Sequence, residues 1–455
     1  TKSRGTFGSS KQTTLDTSQD KIKVGTTLDG SEILLSAGND LKAQNLQAIA
    51  DNDLRLEAGN NASVAAETNY FKETHFKQKS KSGVFSGGGI GITFGKKSET
   101  HESEAEGWQQ SQARSTLGSL TGNISISAGN HAHLSGTEVV ASRELGKQIL
   151  VEGKSTYIGA SEDNLSAKER HEYKQSGLTI SFSSAVTDAA LAAKSSLKRS
   201  TQVKDERLST LLKVKAANEA IETVTKAKAL IDTIQNASNA TAAVGNSDFK
   251  VSVSVGASKS THTSHTQQTT HQGSVLSADK LIIRATEGDS TIVGSKIDAN
   301  ETTLEGNNVN LLATTDSQSN RSDNKSSSWS VGVFVGKSGG SQGLGVEGAA
   351  NIGKGHSNSD AKVQNHTEIN SNRLTIKAKE TTTLKGATAN INHLNLETKN
   401  LHIESVQDSE KYDSKQTQGG VSASVAIYGS GSSASAQFSQ NKAKVDYAQV
   451  TQQSG

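Results

Sequence analysis

A short unit that joins two strand-like segments through an Ala-Gly-Asn corner recurs along this chain. It occurs in the runs 33–41, 54–64 and 124–134, where leucine, isoleucine and valine alternate with polar residues. Glycine and asparagine suit such corners because they tolerate left-handed backbone angles. The corners at Ala37 and Ala58 are about 20 residues apart, a period typical of stacked β-strand coils. The repeat therefore predicts a β-solenoid.

Later copies of the unit occupy the runs 281–292, 304–311, 374–384 and 394–403. Blocks of roughly two coils begin near Asp20, Thr121, Gly273 and Thr367. Each block leads into a polar ascending arm, an apolar hairpin tip and a polar descending arm. We expect the arms to be solvated ribbons that lift each tip off the solenoid.

Four apolar hairpins follow the blocks, in the runs 84–94, 178–182, 328–350 and 421–438, and the second has a displaced return strand at 249–255. Apolar and small residues alternate in each run, which is the pattern of a β-strand with two unlike faces. Glycine-rich segments separate the two legs, as in β-hairpins. The apolar tip residues are the candidate membrane-contact residues: Val84, Phe85, Ile90, Ile92, Phe94, Leu178, Ile180, Phe182, Val251, Val253, Val255, Trp329, Val331, Val333, Val335, Val421, Val425, Ile427 and Phe438.

These tips allow two interpretations. In one, the alternation packs each hairpin on the next and forms a side sheet along the solenoid. In the other, the apolar face enters a bilayer. A spanning strand needs about 9 to 11 residues, which is more than the tips offer unless the arms contribute.

A segment rich in alanine, leucine, lysine and glutamate interrupts the second hairpin. Apolar residues recur there at helical spacing. The sequence thus predicts three parts: coils with hairpins over 1–184, a helical insertion over 185–246, and coils with hairpins over 247–455. The basic stretch 194–215 within the insertion also contains acidic residues and is interpreted as a solvated helix face.

The chain has no proline and no cysteine. Average proline usage is about 5%, and a structure that pairs nearly every backbone N–H has little room for proline. The alternative is a compositional habit of the source genome. The lack of cysteine suits passage through an export pore as well as a reducing cytoplasm. Because methionine is absent too, even at position 1, we expect an internal piece of a larger protein.

No catalytic, cofactor or metal site is predicted. The run Gly343–Gly348 matches G-x-G-x-x-G but lacks the enclosing strand-turn-helix that binds a dinucleotide. His262, His265 and His271 are interpreted as solvent-facing arm residues, because the first two face opposite ways on a strand and the third is far along it. Carboxylates are scattered, which disfavours a polysaccharide-cleaving enzyme. The net charge of +2 gives no reason to expect nucleic acid as a partner.

Repeated Leu-x-Leu/Ile-x-Ala-Gly-Asn corners that alternate with glycine-rich hairpins resemble the haemagglutinin repeats of large exoproteins exported by two-partner secretion. The likeness is strongest to contact-dependent growth inhibition (CdiA-like) effectors and filamentous haemagglutinin, and it covers nearly the whole chain except the helical insertion.

The resemblance implies an all-β, right-handed parallel β-helix, secreted or at the surface of a Gram-negative bacterium and held in the periplasm before deployment. Its implied partners are an outer-membrane transporter of the producing cell, the target-cell outer membrane, and a C-terminal toxin domain in the same polypeptide. The implied function is non-enzymatic: the module helps the toxin cross the target membrane. The alternative is the structural shaft of an adhesin.

Overall fold

The computed structural model describes residues 2–5, 8–86, 91–183, 250–338 and 341–450. Within these ranges the regular elements are all β-strands, which confirms the all-β prediction. The strands form an 18-stranded sheet with parallel pairing and a 10-stranded sheet with antiparallel pairing. The predicted helical insertion lies outside the described residues, and the right-handed winding stays a prediction.

The parallel sheet contains the Ala-Gly-Asn repeats. Its strands are β3 (Thr26–Gly30), β4 (Ile33–Ala37), β5 (Leu41–Gln44), β6 (Leu46–Ala50), β7 (Leu54–Ala58), β8 (Ala62–Ala65), β11 (Ser115–Ser119), β12 (Ile124–Ala128), β13 (His131–Ser135), β14 (Thr137–Ala141), β15 (Gln148–Gly153), β16 (Ser155–Gly159), β19 (Val275–Ala285), β20 (Ser290–Val293), β21 (Lys296–Leu312), β24 (Thr367–Lys385), β25 (Ala387–Glu397) and β26 (Asn400–Glu404).

Successive strands of this sheet pair with the third strand that follows. The first ladder starts β3–β6–β11–β14, the second β4–β7–β12–β15 and the third β5–β8–β13–β16. Strands β19 and β20 extend all three ladders, and the long strands β21 and β24 carry them further. The chain therefore climbs through three stacked parallel ladders, as the period of the repeat predicts.

Alternate side chains of the three ladders point into one shared interior. Leu56, Leu117, Ile126, Ile149 and Ile283 are fully buried there, and the cluster continues from Leu46 to Ala378. Burying each large aliphatic side chain contributes about 1.5–3 kcal/mol. The apolar alternation in the repeats is thus the source of the core.

In each block, a residue with left-handed backbone angles joins the first turn through the three ladders (a layer) to the second. These residues are Asn45, Gly136, Gly294 and Gly386, with φ angles of 49°, 59°, 54° and 64°. Each lies one or two residues before the next strand of the first ladder. L-residues other than glycine and asparagine rarely adopt this region. Residues that tolerate left-handed backbone angles, predicted at the Gly-Asn corners, are therefore also needed at these single positions.

Buried hydroxyl groups lie next to this corner in successive layers of the parallel stack. Ser115, Thr137, Ser274, Ser295 and Thr367 are nearly inaccessible to solvent. Ser274 Oγ accepts a hydrogen bond from the Thr137 backbone N–H at 3.0 Å and donates to the Gly159 carbonyl at 2.6 Å. These hydroxyls satisfy backbone groups that the turn leaves without a strand partner.

The antiparallel sheet contains the hairpins. Its strands are β1 (Lys2–Gly5), β2 (Gly8–Lys21), β9 (Asn69–Ser86), β10 (Gly91–Gln109), β17 (Ser161–Ser183), β18 (Lys250–Gln272), β22 (Thr314–Ser338), β23 (Ser341–Asn365), β27 (Gln407–Ser430) and β28 (Ser432–Val450), and the sheet order equals the chain order.

Each pair of layers leads into one of these hairpins, as the sequence predicts. Strand β17 pairs with β18 from Ser161–Gln272 to Ser183–Lys250, so the displaced return strand is confirmed apart from Phe249, which lies outside the described residues. The arms do not stand as separate ribbons. Strand β10 also pairs with β17, β18 with β22, and β23 with β27, which joins all hairpins edge to edge.

Glycines lie side by side on five adjacent strands at the base of the tips. In register they are Gly8, Gly83, Gly95, Gly177 and Gly256. A Cβ added to Gly95 would stand 2.0 Å from the Ser176 carbonyl oxygen. The neighbouring backbone occupies that space, so this glycine row marks a close approach of adjacent strands.

Candidate functional site

Exposed apolar side chains form a continuous row across the hairpin tips. Val84, Phe94, Leu178, Val255 and Val331 are cross-strand neighbours on β9, β10, β17, β18 and β22. Side chains directly opposite in an antiparallel pair lie on the same face of the sheet. All five are exposed to solvent.

A second row lies two residues nearer the ends of the hairpins. Val253, Val333, Val346 and Val425 are cross-strand neighbours on β18, β22, β23 and β27, and all are exposed. We call these two rows the apolar band. Trp329 and Val421 flank it on the side of the stack, both opposite Ala350.

The other face of the same tips is buried and mostly polar. Thr93, Ser252 and Ser424 are almost inaccessible, as is Phe334. The hydroxyls are paired: Thr93 with Thr179 at 2.9 Å, and Ser252 with Ser181 at 2.7 Å. A sheet of a water-soluble domain places its apolar face inward. Apart from Phe334, these tips have the reverse arrangement.

The reversed arrangement leaves a large apolar area in contact with water. Contiguous exposed apolar patches larger than a few hundred Å² mark binding surfaces. Each large aliphatic side chain that becomes fully buried gains about 1.5–3 kcal/mol. The apolar band is therefore suited to contact an apolar partner.

The structure brings most of the predicted contact residues together. Ile92, Ile180, Phe182, Val251 and Val335 occupy register positions within the band rows or the row beyond them. Phe85 adjoins Val84 along the strand and is half-buried on the opposite face.

Three further candidates have other positions. Ile427 is exposed at a bulge, between Ala426 opposite Gly345 and Tyr428 opposite Leu344. Phe438 is exposed on β28, opposite Gly419. Ile90 lies outside the described residues.

Two band residues were missed by the sequence prediction. Val346 belongs to the band, and Leu344, opposite Val335, extends it; both are exposed. Their alternation with Gly343 and Gly345 is the same signal that identified Val331, so the return strand could have been included.

Histidines of the arms were considered as metal ligands. His271 is held by carboxylates of neighbouring strands, with Nδ1 at 3.0 Å from Asp316 and Nε2 at 3.6 Å from Glu162. His265 Nε2 lies 3.3 Å from the Ser166 hydroxyl. Across the described ranges, no three histidine or acidic side chains are grouped closely enough to hold a metal ion. Nor do these ranges contain a helix that is long and apolar enough to span a membrane.

Comparison with known proteins identifies the repeat. A family profile described as "Hemagglutinin repeat" matches residues 5–149 and 255–420. The chain is 35% identical over 413 residues to "tRNA nuclease CdiA" of Yersinia mollaretii, which covers 88% of this chain and 14% of that protein. It is 35% identical over 405 residues to "16S rRNA endonuclease CdiA" of Enterobacter cloacae, over 88% of this chain and 12% of that protein.

A third relative is "Deoxyribonuclease CdiA" of Yersinia pseudotuberculosis, 33% identical over 413 residues, 88% of this chain and 37% of that protein. The chain thus spans well under half the length of these relatives. Among solved structures, the C-terminal domain of a tapirin from Caldicellulosiruptor kristjanssonii matches with 7% identity over 83% of this chain and 52% of that chain, at a TM-score of 0.14.

Proposed function

The chain belongs to the hemagglutinin repeat family, and from this premise we propose that it is an internal module of a secreted contact-dependent growth inhibition protein. In this role the hairpin tips engage the outer membrane of a target cell and help a C-terminal toxin to cross it. The relatives of this chain carry names of nuclease toxins. Their names agree with a toxin elsewhere in the same polypeptide, and the module itself is non-enzymatic.

The exposed apolar band is the observation that supports membrane engagement. Val255, Val331 and Val333 face solvent, while Thr93 and Ser252 on the other face are buried and hydrogen-bonded. Strands that face lipid alternate in the same sense, with apolar residues outward and polar residues inward.

The rest of the chain serves as the support for the tips. We propose that the three parallel ladders wind as a right-handed β-helix, with residues 1–184 and 247–455 on either side of a helical insertion over 185–246. The producing cell exports the protein through an outer-membrane two-partner-secretion transporter, and the module is held in the periplasm before it is deployed at the cell surface.

Flotation with vesicles tests the membrane proposal. We would compare the unmodified chain with a variant that carries Val255→Asp, Val331→Asp and Val333→Asp, using vesicles of phosphatidylcholine, a zwitterionic lipid without net charge. A charge at mid-bilayer costs on the order of 2 to 4 kcal/mol, so the variant should stay in the dense fractions. The matched control carries Leu34→Asp, Leu120→Asp and Leu145→Asp, three exposed leucines of the parallel stack, and should float as the unmodified chain does.

Toxin delivery requires a second experiment, in the full-length protein. The band variant should still be secreted and still attach to target cells but should no longer inhibit them. Equal flotation of the band variant and the unmodified chain, or undiminished inhibition, contradicts the proposal.

A second candidate function is the structural shaft of an adhesin. The lateral pairing of β10 with β17, β18 with β22 and β23 with β27 favours it, because that pairing makes the hairpins a continuous side sheet without any partner. Absence of flotation together with unchanged cell attachment would support this function instead.

A further inference from the structure

Lysines lie beside the apolar band, on the same face and toward the parallel stack. Lys174 on β17 is directly opposite Lys259 on β18. Lys96 on β10 lies one row nearer the band, opposite Ser176. Two ammonium groups directly opposite one another are unfavourable unless counter-charge is near.

The nearby counter-charge is small. Glu172 contacts Lys174, and its carboxylate lies 3.6 Å from Lys259 and 3.3 Å from Arg170. Hydrogen bonding from Lys174 lowers the pKa of Glu172, so it is ionised at neutral pH. Lys97, next to Lys96, is paired with Glu99 at 2.8 Å, whereas Lys96 makes no ion pair with another described residue. Positive charge therefore exceeds negative charge here.

These lysines line a cleft that opens on the exposed face. The cleft has a volume of about 460 Å³ and is lined by Lys96, Lys174, Lys259 and Trp329 together with Ser98 and Ser327. Lys174 and Lys259 keep about half of their side-chain area exposed, at 53% and 54%. Ammonium groups and hydroxyls can all donate hydrogen bonds to the oxygens of an anion.

The position of the cleft relative to the band indicates which anion it fits. Lys174 and Leu178 are four residues apart on one strand, about 13 Å at 3.3 Å per residue. Trp329 lies between the two zones, opposite Ala257 and Ala350. Tryptophan and lysine at the border of an apolar surface are typical of the headgroup layer of a membrane.

We propose that the cleft formed by Lys96, Lys174, Lys259 and Trp329 binds the phosphate groups of anionic lipid headgroups when the apolar band meets a membrane. This inference rests on the proposed function, and it adds lipid selectivity to it. The lysine ammonium groups contact the phosphate, and the tryptophan ring lies at the level of the ester groups.

The test compares two kinds of vesicle, phosphatidylcholine alone and phosphatidylcholine mixed with phosphatidylglycerol, at fixed ionic strength. The unmodified chain should bind the mixed vesicles more tightly. In a variant with Lys96→Gln, Lys174→Gln and Lys259→Gln, this gain should fall about tenfold or more, because each lysine near an anionic surface strengthens binding about fivefold. Binding to phosphatidylcholine alone should not change.

A control variant removes the same number of charges from the parallel stack, with Lys42→Gln, Lys280→Gln and Lys377→Gln. It should keep the full gain. An equal loss of this gain in the control variant would mean that binding follows net charge, and it would contradict the proposal that the cleft binds the headgroups. An undiminished gain in the cleft variant overturns it too. In both cases the Val255, Val331 and Val333 variant still reports on membrane engagement by itself, since its flotation is measured with vesicles that have no net charge.

Discussion

Val331 and Phe334 are three residues apart on β22 and have opposite environments: 62% of Val331 is exposed, and 1% of Phe334. Gly345 makes room for the Phe334 ring, since a Cβ at that glycine would stand 2.7 Å from it. The face of the strand on which a residue lies, and not the hydrophobicity of the strand, decides whether that residue is exposed or buried.

Truncating these two residues should therefore have separate effects. Phe334→Ala should destabilise the hairpin by about 3–5 kcal/mol, because it removes a buried ring. Val331→Ala should change stability by less than about 0.5 kcal/mol but weaken vesicle flotation. Urea unfolding and flotation of the two variants measure this. A large loss of stability in Val331→Ala would mean that the band is packed against protein.

The glycine row should not tolerate a side chain. Gly95→Ala should cost about 1–3 kcal/mol, as overpacking does, because the added Cβ meets the Ser176 carbonyl oxygen. Gly348→Ala is the matched control in the same sheet, since its nearest atom is 3.6 Å from the added Cβ. Thermal unfolding compares them, and equal midpoints would contradict the close approach of the neighbouring backbone at Gly95.

Loss of one buried hydroxyl should destabilise the parallel stack. Ser274→Ala leaves the Thr137 N–H without its acceptor and removes one of two donors to the Gly159 carbonyl, which keeps the hydrogen bond from the Gly136 N–H at 3.1 Å. A buried polar group without a hydrogen bond costs about 1–3 kcal/mol. Ser36→Ala changes an exposed serine of the same sheet and should be neutral in the same urea titration.

Position 45 should accept glycine but not valine. Asn45 has a φ of 49°, which costs a β-branched residue about 1–2 kcal/mol or more. Asn45→Gly loses the exposed hydrogen bond from Asn45 Nδ2 to the Lys23 carbonyl but should lower the thermal midpoint less than Asn45→Val, because glycine has this role at positions 136, 294 and 386. A stable Asn45→Val variant would contradict the need for a left-handed residue.

Two histidines should titrate on opposite sides of the ordinary value of 6.5. The hydrogen bond with Asp16 raises the pKa of His75, whereas burial lowers the pKa of His133, which stacks on Tyr157 at 4.8 Å. The His75 contribution to stability is thus present below pH 6.5 and is lost as the pH rises through its raised pKa. That of His133 is lost as the pH falls below 6.5 toward its lowered pKa.

Titration by NMR, with Asp16→Asn as the control, measures both values. The substitution should return the pKa of His75 toward 6.5 and leave that of His133 unchanged. A pKa of His133 above 6.5 would contradict its burial.

The interior of the stack could be predicted from the sequence because its signal is local. Leu54 and Leu56, or Ile124 and Ile126, alternate with polar residues, and only one face of such a strand can be buried. The pairing of the arms could not be predicted in this way. Lys174 opposite Lys259, or Thr261 opposite Glu172, has no pattern that distinguishes it from a register shifted by two residues.

The burial of Phe334 also escaped the sequence analysis, for a tertiary reason. Alternation places it with Ser330 and Gly332, which reads as the polar side of the strand. Its environment depends on the space left at Gly345, a residue on another strand. The basic cleft was missed for the same reason, since Lys96, Lys174 and Lys259 come together only through the lateral pairing.

The two ends of each hairpin leave the stack side by side, with Ser161 opposite Gln272 and Thr314 opposite Asn365. The distance between the points where the chain leaves the stack and returns to it is therefore the same, whatever the length of the hairpin. Insertions, deletions and recombination within a hairpin are then almost neutral for the ladders beneath it. Such genes should diversify at the tips by exchange of whole hairpins, while the coil sequences between them change slowly.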